Sequence, residues 1–169
     1  MTNNIKSIPL ITCAAVALMD GDKVLIARRP EGKAMAGLWE FPGGKLKHGE
    51  TPEQALVREL DEELSITVNT DNLEPLTFAS HSYEDFHLLM PVYECREWQG
   101  DIVAKKHSTI KWIEIGALLE PSYSMPPEYS ISPDYPMPLA DVPVAEWLKL
   151  QCFYENLAEL SFERRRFVS

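Results

Sequence analysis

The chain has 169 residues, 45% of them apolar and 25% charged, which suits a globular protein with room for a hydrophobic core. Its formal net charge of −10 argues against extended contact with a nucleic-acid polymer or an anionic membrane, since both require basic surface. Cys13, Cys95 and Cys152 are odd in number and far apart; they fit neither a disulfide framework nor a zinc cluster, and read as buried thiols of a cytoplasmic protein.

Leu10–Met19 (LITCAAVALM) is apolar throughout and too short to cross a bilayer, so a buried strand is expected there. Asp20–Asp22 reads as a hairpin turn and Lys23–Arg29 as the returning strand. The following loop, RRPEGKAMAGLWEFPGG, carries one short apolar run, Leu38–Phe41, which Pro42 and the pair Gly43–Gly44 end. Thr51 is a natural N-cap and Pro52 a first-turn proline, opening a helix over Pro52–Leu64. Leu56, Val57, Leu60 and Leu64 recur at helical spacing and give it one buried stripe. Strand-like runs follow at Leu73–Ser80, Phe86–Trp98 and Thr109–Ile113. Residues Ala117 to Pro138 hold six of the thirteen prolines, so an irregular surface excursion is expected at about 117–138. A second helix starts near Asp141, with Pro143 in its first turn and Glu163–Arg166 as a solvated end. The order implies one domain over 1–169, of α/β class, with a mixed sheet between helices.

The first helix carries the chemistry. Between Glu50 and Glu63 stand six acidic residues (Glu50, Glu53, Glu59, Asp61, Glu62, Glu63) and one base, Arg58. Glu59, Glu62 and Glu63 are spaced i, i+3, i+4 and share one face, where like charges cost a few tenths of a kcal/mol per pair. Protonating one carboxylate or binding cations between them recovers that cost. Several carboxylates with few nitrogens or sulfurs make a hard oxygen site suited to Mg2+ or Mn2+, and Mg2+ commonly bridges to substrate phosphates. Gly43 and Gly44 would let the backbone approach such a cluster, a main-chain carbonyl would add an oxygen ligand, and Arg58 would pair with Glu50. Glu53 and Asp61 read as ordinary surface acids. His107 reads as a surface residue, and His81 and His87 as structural ones. An exposed acidic face with no ligand is the alternative reading of such a helix.

This run resembles the Nudix box, G-x5-E-x7-R-E-U-x-E-E-x-G-U, where U is aliphatic. Gly44, Glu50, Arg58, Glu59, Leu60, Glu62, Glu63 and Ile66 match eight of nine fixed positions. Ser65 stands where the box has a glycine, at a helix end where a left-handed residue is often wanted. The resemblance implies an α/β/α sandwich and a metal-dependent hydrolase of nucleoside diphosphates linked to another group. It implies Glu59, Glu62 and Glu63 as catalytic residues and, with the Gly43 carbonyl, as ligands of Mg2+ or Mn2+. Gly44, Glu50 and Arg58 would be structural box residues.

RRPEGKAMAGLWEFPGGK and YPMPLADVPVAEWL are similar to the MutT branch of the family, which cleaves nucleoside triphosphates to monophosphate and pyrophosphate. The implied substrate is 8-oxo-dGTP or, alternatively, CTP and modified cytosine nucleotides. A non-catalytic nucleotide-binding module is a third reading, against which every box glutamate is present. The same match implies substrate contacts from Arg29, Glu40, Phe41, Pro42, Gly43 and Asp141, the last of which is also a natural N-cap. Lys106 falls where the branch carries a loop glutamate; Glu84 and Asp85 lie in another loop that could supply a carboxylate. The sequence is compatible with a monomer or a dimer.

Overall fold

The computed structural model describes residues 8–119 and 134–166, with side chains of the last helix described through residue 154. Among the described residues, seven strands, β1 (Leu10–Asp20), β2 (Lys23–Arg28), β3 (Trp39–Glu40), β4 (Gly43–Lys45), β5 (Glu74–Ser82), β6 (His87–Cys95) and β7 (Thr109–Glu114), accompany two α-helices, α1 (Pro52–Leu64) and α2 (Val142–Arg166). All seven join one mixed sheet. β1 runs parallel to β6, from Leu10 opposite His87 to Leu18 opposite Cys95. Its other partners, β2 and β4, are antiparallel. β3 and β7 flank β2, and β5 lies outside β6.

β1 explains its own unbroken apolar run. Side chains alternate across a strand, so Ala14, Val16 and Leu18 pack with Leu56, Leu60 and Leu64 of α1. Ala15, Ala17 and Met19 face the other way, toward Val144, Ala145 and Leu148 of α2. Both faces of the strand are covered, as in the expected sandwich. Each fully buried leucine of α1 contributes on the order of 1.5–3 kcal/mol of burial free energy; Val57 is only half-buried and lies at the edge of the stripe.

Three expectations need correction. The strand expected over Phe86–Trp98 is β6 alone, which ends at Cys95; Gln99 beyond it bridges Thr67. Of the three cysteines only Cys95 is buried, and Cys13 and Cys152 are half-buried. The excursion at 117–138 is not wholly on the surface. Its ends are core: Leu118 is 1% exposed and Met137 3%, Trp39 N donates to the Pro136 carbonyl at 2.7 Å, and Tyr135 packs edge-on against Trp39. The middle of that stretch, 120–133, lies outside the described residues. No described helix is long and apolar enough to cross a membrane.

Candidate active site

The helix α1 is fixed at both ends by its own sequence. Thr51 caps it: Gln54 N donates to Thr51 Oγ1, and Thr51 N to Gln54 Oε1, while Pro52 occupies the first turn. These two bonds satisfy donors that a helix start otherwise leaves orphaned. At the other end Ser65 adopts the left-handed conformation (φ 64°, ψ 23°) that the box glycine would take. Two free carbonyls of the last turn, Glu63 O and Leu64 O, accept from Lys105 N and Val103 N, both at 2.8 Å. That clamp fastens the loop 103–107 to the helix and brings Lys106 and His107 to the glutamate face.

The glycine pair is required for a reason the sequence did not supply. β4 lies against β1, with Gly43 opposite Ala15 and Gly44 opposite Ala14. A Cβ on Gly43, whose φ is 150°, would stand 2.1 Å from the Ala14 carbonyl oxygen. One on Gly44 would stand 2.7 Å from Glu59 Cδ. What crowds the glycines is thus the neighbouring strand and the Glu59 carboxyl, both part of the fold.

The acidic residues separate by environment. Glu50 takes a two-pronged bond from Arg58, Nε and Nη2 at 2.7 and 2.8 Å, and that guanidinium holds its carboxyl down at about 2. Arg58 also donates to Glu59 Oε1 at 2.5 Å and to the Lys45 carbonyl, so it ties loop, strand and helix together. Glu62 is the most open of the three glutamates on this face; Lys106 Nζ lies 2.5 Å from its Oε2, and that hydrogen bond lowers its pKa. Glu63 is buried, and its Oε2 accepts from Gly43 N at 3.3 Å. Burial pushes its pKa up to about 7, with His107 opposing and Glu59 adding to the rise. Glu53 is not an idle surface acid, because the Tyr93 hydroxyl donates to it at 2.6 Å.

A second group, Arg29, Glu40, Phe41 and Asp141, lines the same cavity of about 490 Å³ as Glu59 and Glu63. Arg29 Nη1 donates to Glu40 Oε2, and His107 Nε2 lies 3.2 Å from Glu40 Oε1. Asp141 is 6% exposed and accepts from Phe41 N at 3.2 Å. Burial, and then the negative charge of Glu40, push the Asp141 carboxyl up to about 7. Its backbone carbonyl also accepts from Val144 N and Ala145 N at the start of α2, so it serves both as a helix cap and as a wall of the cavity. Tyr83 and Phe86, stacked with ring centroids 4.7 Å apart, form an aromatic part of the lining.

Of the residues expected to act together, Arg29, Glu40, Phe41, Gly43, Gly44, Glu59, Glu63 and Asp141 line this one cavity. Pro42, Glu50, Arg58 and Glu62 do not; Pro42 instead accepts from Val16 N, and the other three form the ion-paired outer edge of the helix. His107 corrects the surface reading: its side chain is 5% exposed, lines the cavity and leaves Nδ1 buried without a hydrogen-bond partner. Its neighbours in space are 67 residues away at Glu40, so no local pattern could have marked it.

Divalent-cation binding can be tested against these side chains. Glu59, Glu62, Glu63 and the Gly43 carbonyl are all hard oxygen donors, the chemistry that Mg2+ and Mn2+ take. Among the described residues, however, no three carboxylate, imidazole or thiol groups are gathered closely enough to hold an ion. Arg58 and Lys106 hold Glu59 and Glu62 from the side. The donor chemistry fits such a cation, while Arg58 and Lys106 occupy the oxygens of Glu59 and Glu62.

Residues 13–129 match the NUDIX domain family. An 8-oxo-dGTP diphosphatase of Proteus vulgaris is 45% identical over 87 residues, which cover 52% of this chain and 76% of that protein. A CTP pyrophosphohydrolase of Escherichia coli K12 is 34% identical over 135 residues, covering 79% of this chain and 86% of that one. Among solved structures, the E. coli ORF135 protein superposes with a TM-score of 0.68 at 28% identity, over 85% of this chain and 91% of the other.

Proposed function

The chain belongs to the NUDIX domain family, and from that membership we propose that it is a Mg2+-dependent nucleoside triphosphate pyrophosphohydrolase whose preferred substrate is 8-oxo-dGTP. It would act as a single domain, removing an oxidised nucleotide from the precursor pool before it reaches DNA. Water adds to one phosphoryl group, the phosphoanhydride bond beyond it breaks, and nucleoside monophosphate and pyrophosphate leave. What supports the reading is a single cavity whose lining brings Glu59 and Glu63 together with Arg29, Glu40 and Asp141. A metal-bound polyphosphate needs the first pair of groups, and a nucleoside needs the polar contacts of the second set.

In this reading Glu59, Glu62, Glu63 and the Gly43 carbonyl hold the divalent cations, which supply charge neutralisation of the polyphosphate and Lewis-acid activation of water. Without a cation, burial sets the Glu63 carboxyl near 7, so a cation that binds there displaces a proton. Arg58 and Glu50 keep the loop 43–50 seated on α1, so that Gly43 and Glu63 stay in register. Arg29 contacts the nucleotide while Glu40 fixes its guanidinium. Asp141, with the Glu40–Gly43 backbone, reads the base by accepting from its N–H groups.

The test is a substrate panel. Purified protein with Mg2+ should convert 8-oxo-dGTP to its monophosphate with a higher kcat/KM than dGTP or CTP, and chelation should stop the reaction. No monophosphate from any of the three would overturn the reading. A higher kcat/KM for CTP would select the second reading, a CTP pyrophosphohydrolase. That reading is favoured by the carboxyl of Asp141 and by the longer match to the E. coli relative.

A further inference from the structure

We propose that Lys106 is an exchangeable counter-ion of the glutamate helix. Its ammonium holds Glu59 and Glu62 before divalent cations bind, is displaced by them, and then takes an oxygen of the substrate's polyphosphate. The proposal rests on the reading above, in which those glutamates bind divalent cations for a nucleoside triphosphate.

The geometry separates Lys106 from the other cations of this face. Its Nζ lies 2.5 Å from Glu62 Oε2 and 3.5 Å from Glu59 Oε2, so one ammonium bridges two of the three metal-face carboxylates. An ammonium at that distance fills the coordination space of the oxygens it touches. Lysine and a divalent cation cannot hold the same lone pairs at once. Arg58 is different. It is held from several sides, by Glu50, by Glu59 and by the Lys45 carbonyl, and its side chain is 19% exposed against 46% for Lys106. A planar fork seated on its carboxylate is a permanent brace, whereas a compact ammonium on a flexible stem can be exchanged.

The loop decides where the displaced ammonium goes. Val103 N and Lys105 N are bonded to the last carbonyls of α1, so the backbone on one side of Lys106 is pinned to the helix. His107, on the other side, is buried against Glu40. Only the lysine side chain is free to turn. Lys106 already lines the cavity together with Glu59 and Glu63, so rotation of its stem carries the charge from the helix carboxylates into the space a polyphosphate would fill. Tethering keeps the ammonium at high local concentration there. A cation of charge +2 replaces one of +1 on the glutamates, and the released charge meets the anionic substrate.

The experiment uses Lys106→Met and Lys106→Arg in the full chain. Mn2+ alone is titrated into each metal-free protein by calorimetry, and steady-state kinetics are measured with nucleoside triphosphate at saturating Mg2+. Lys106→Met should bind Mn2+ about 1.5- to fivefold more tightly than the parent, the range expected for losing a partly exposed ion pair. The same variant should raise KM for the nucleotide about tenfold with little change in kcat, as loss of a uniform phosphate contact does. Lys106→Arg, whose planar fork grips a carboxylate more firmly than an ammonium does, should bind Mn2+ no more tightly than the parent; tighter binding would overturn the exchange. Opposite signs on metal and nucleotide are what a merely structural lysine would not produce. Unchanged or weaker Mn2+ binding in Lys106→Met, or an unchanged KM, overturns the proposal. Failure of the underlying reading would look different, since the parent itself would then release no monophosphate.

Discussion

Asp141→Asn separates the cost of a buried charge from the benefit of a buried hydrogen bond. In the folded chain burial and Glu40 raise the Asp141 carboxyl from 3.8 to about 7. A group whose folded pKa is raised binds its proton more tightly folded than unfolded. Its stabilising contribution is therefore complete below about pH 4 and is lost as pH rises through about 7. At about 1.4 kcal/mol per unit, ionised Asp141 weakens folding at pH 8 by up to about 4 kcal/mol relative to pH 4. Asparagine keeps the oxygen that accepts from Phe41 N and never ionises, but it adds an amide donor whose burial without a partner costs roughly 1–3 kcal/mol. The metal-free variant should therefore gain about 1–3 kcal/mol over the parent at pH 8, or roughly 2–12 °C in Tm for a chain of this size. At pH 5, where the parent carboxyl is already protonated, it should be level or lower. Thermal unfolding of both proteins in chelator at the two pH values measures the difference. An equal shift at pH 5 and pH 8 would refute the reasoning, because the effect would then not come from ionisation.

Three further outcomes are expected. Glu63→Gln, which removes a proposed metal ligand, should lose at least about 10²-fold in kcat; a variant that keeps its kcat would remove Glu63 from the proposed ligand set. Ser65→Gly relieves a left-handed serine (φ 64°) and should stabilise by about 0.5–1 kcal/mol, or roughly 1–4 °C in Tm, with kcat unchanged; a lower Tm would show that the serine is preferred there. Gly44→Ala places a methyl 2.7 Å from Glu59 Cδ and should lower kcat at least about tenfold by displacing that carboxyl; full activity in steady-state assays would mean that Glu59 can move without consequence.

The parts legible in the sequence were those fixed by near neighbours. Thr51, Pro52 and Gln54 close the start of α1 within four residues, and Glu50 meets Arg58 across eight. Ser65 takes the left-handed turn that its position in the box calls for. The alternating contacts of β1 follow from strand geometry alone once both faces are covered. The parts that were not legible depend on contacts made late in the chain. Lys106 meets Glu62 across 44 residues, Tyr93 meets Glu53 across 40, and His107 meets Glu40 across 67. Leu118 and Met137 sit in a proline-rich stretch that reads as surface, and only packing against α2 and the sheet makes them core. Local pattern carries no information on such pairings.

The electrostatics of α1 then indicate where a cation gains most. Glu50 is ionised through the whole neutral range, but Arg58 already compensates it, so a second cation finds little to gain there. Glu62 is compensated by Lys106 and open to water, which screens what remains. Glu63 is buried and bonded only to a backbone amide, and burial makes its charge costly, as its pKa near 7 records. A divalent ion that reaches Glu63 turns that cost into attraction, because the same burial that penalises a lone charge strengthens a paired one. Metal affinity should accordingly rest on Glu63 more than on Glu62, even though Glu62 is the easier to reach. Glu62→Gln should weaken Mn2+ binding less than Glu63→Gln does, and the reverse order in calorimetric titration would show that exposure, not burial, governs the site.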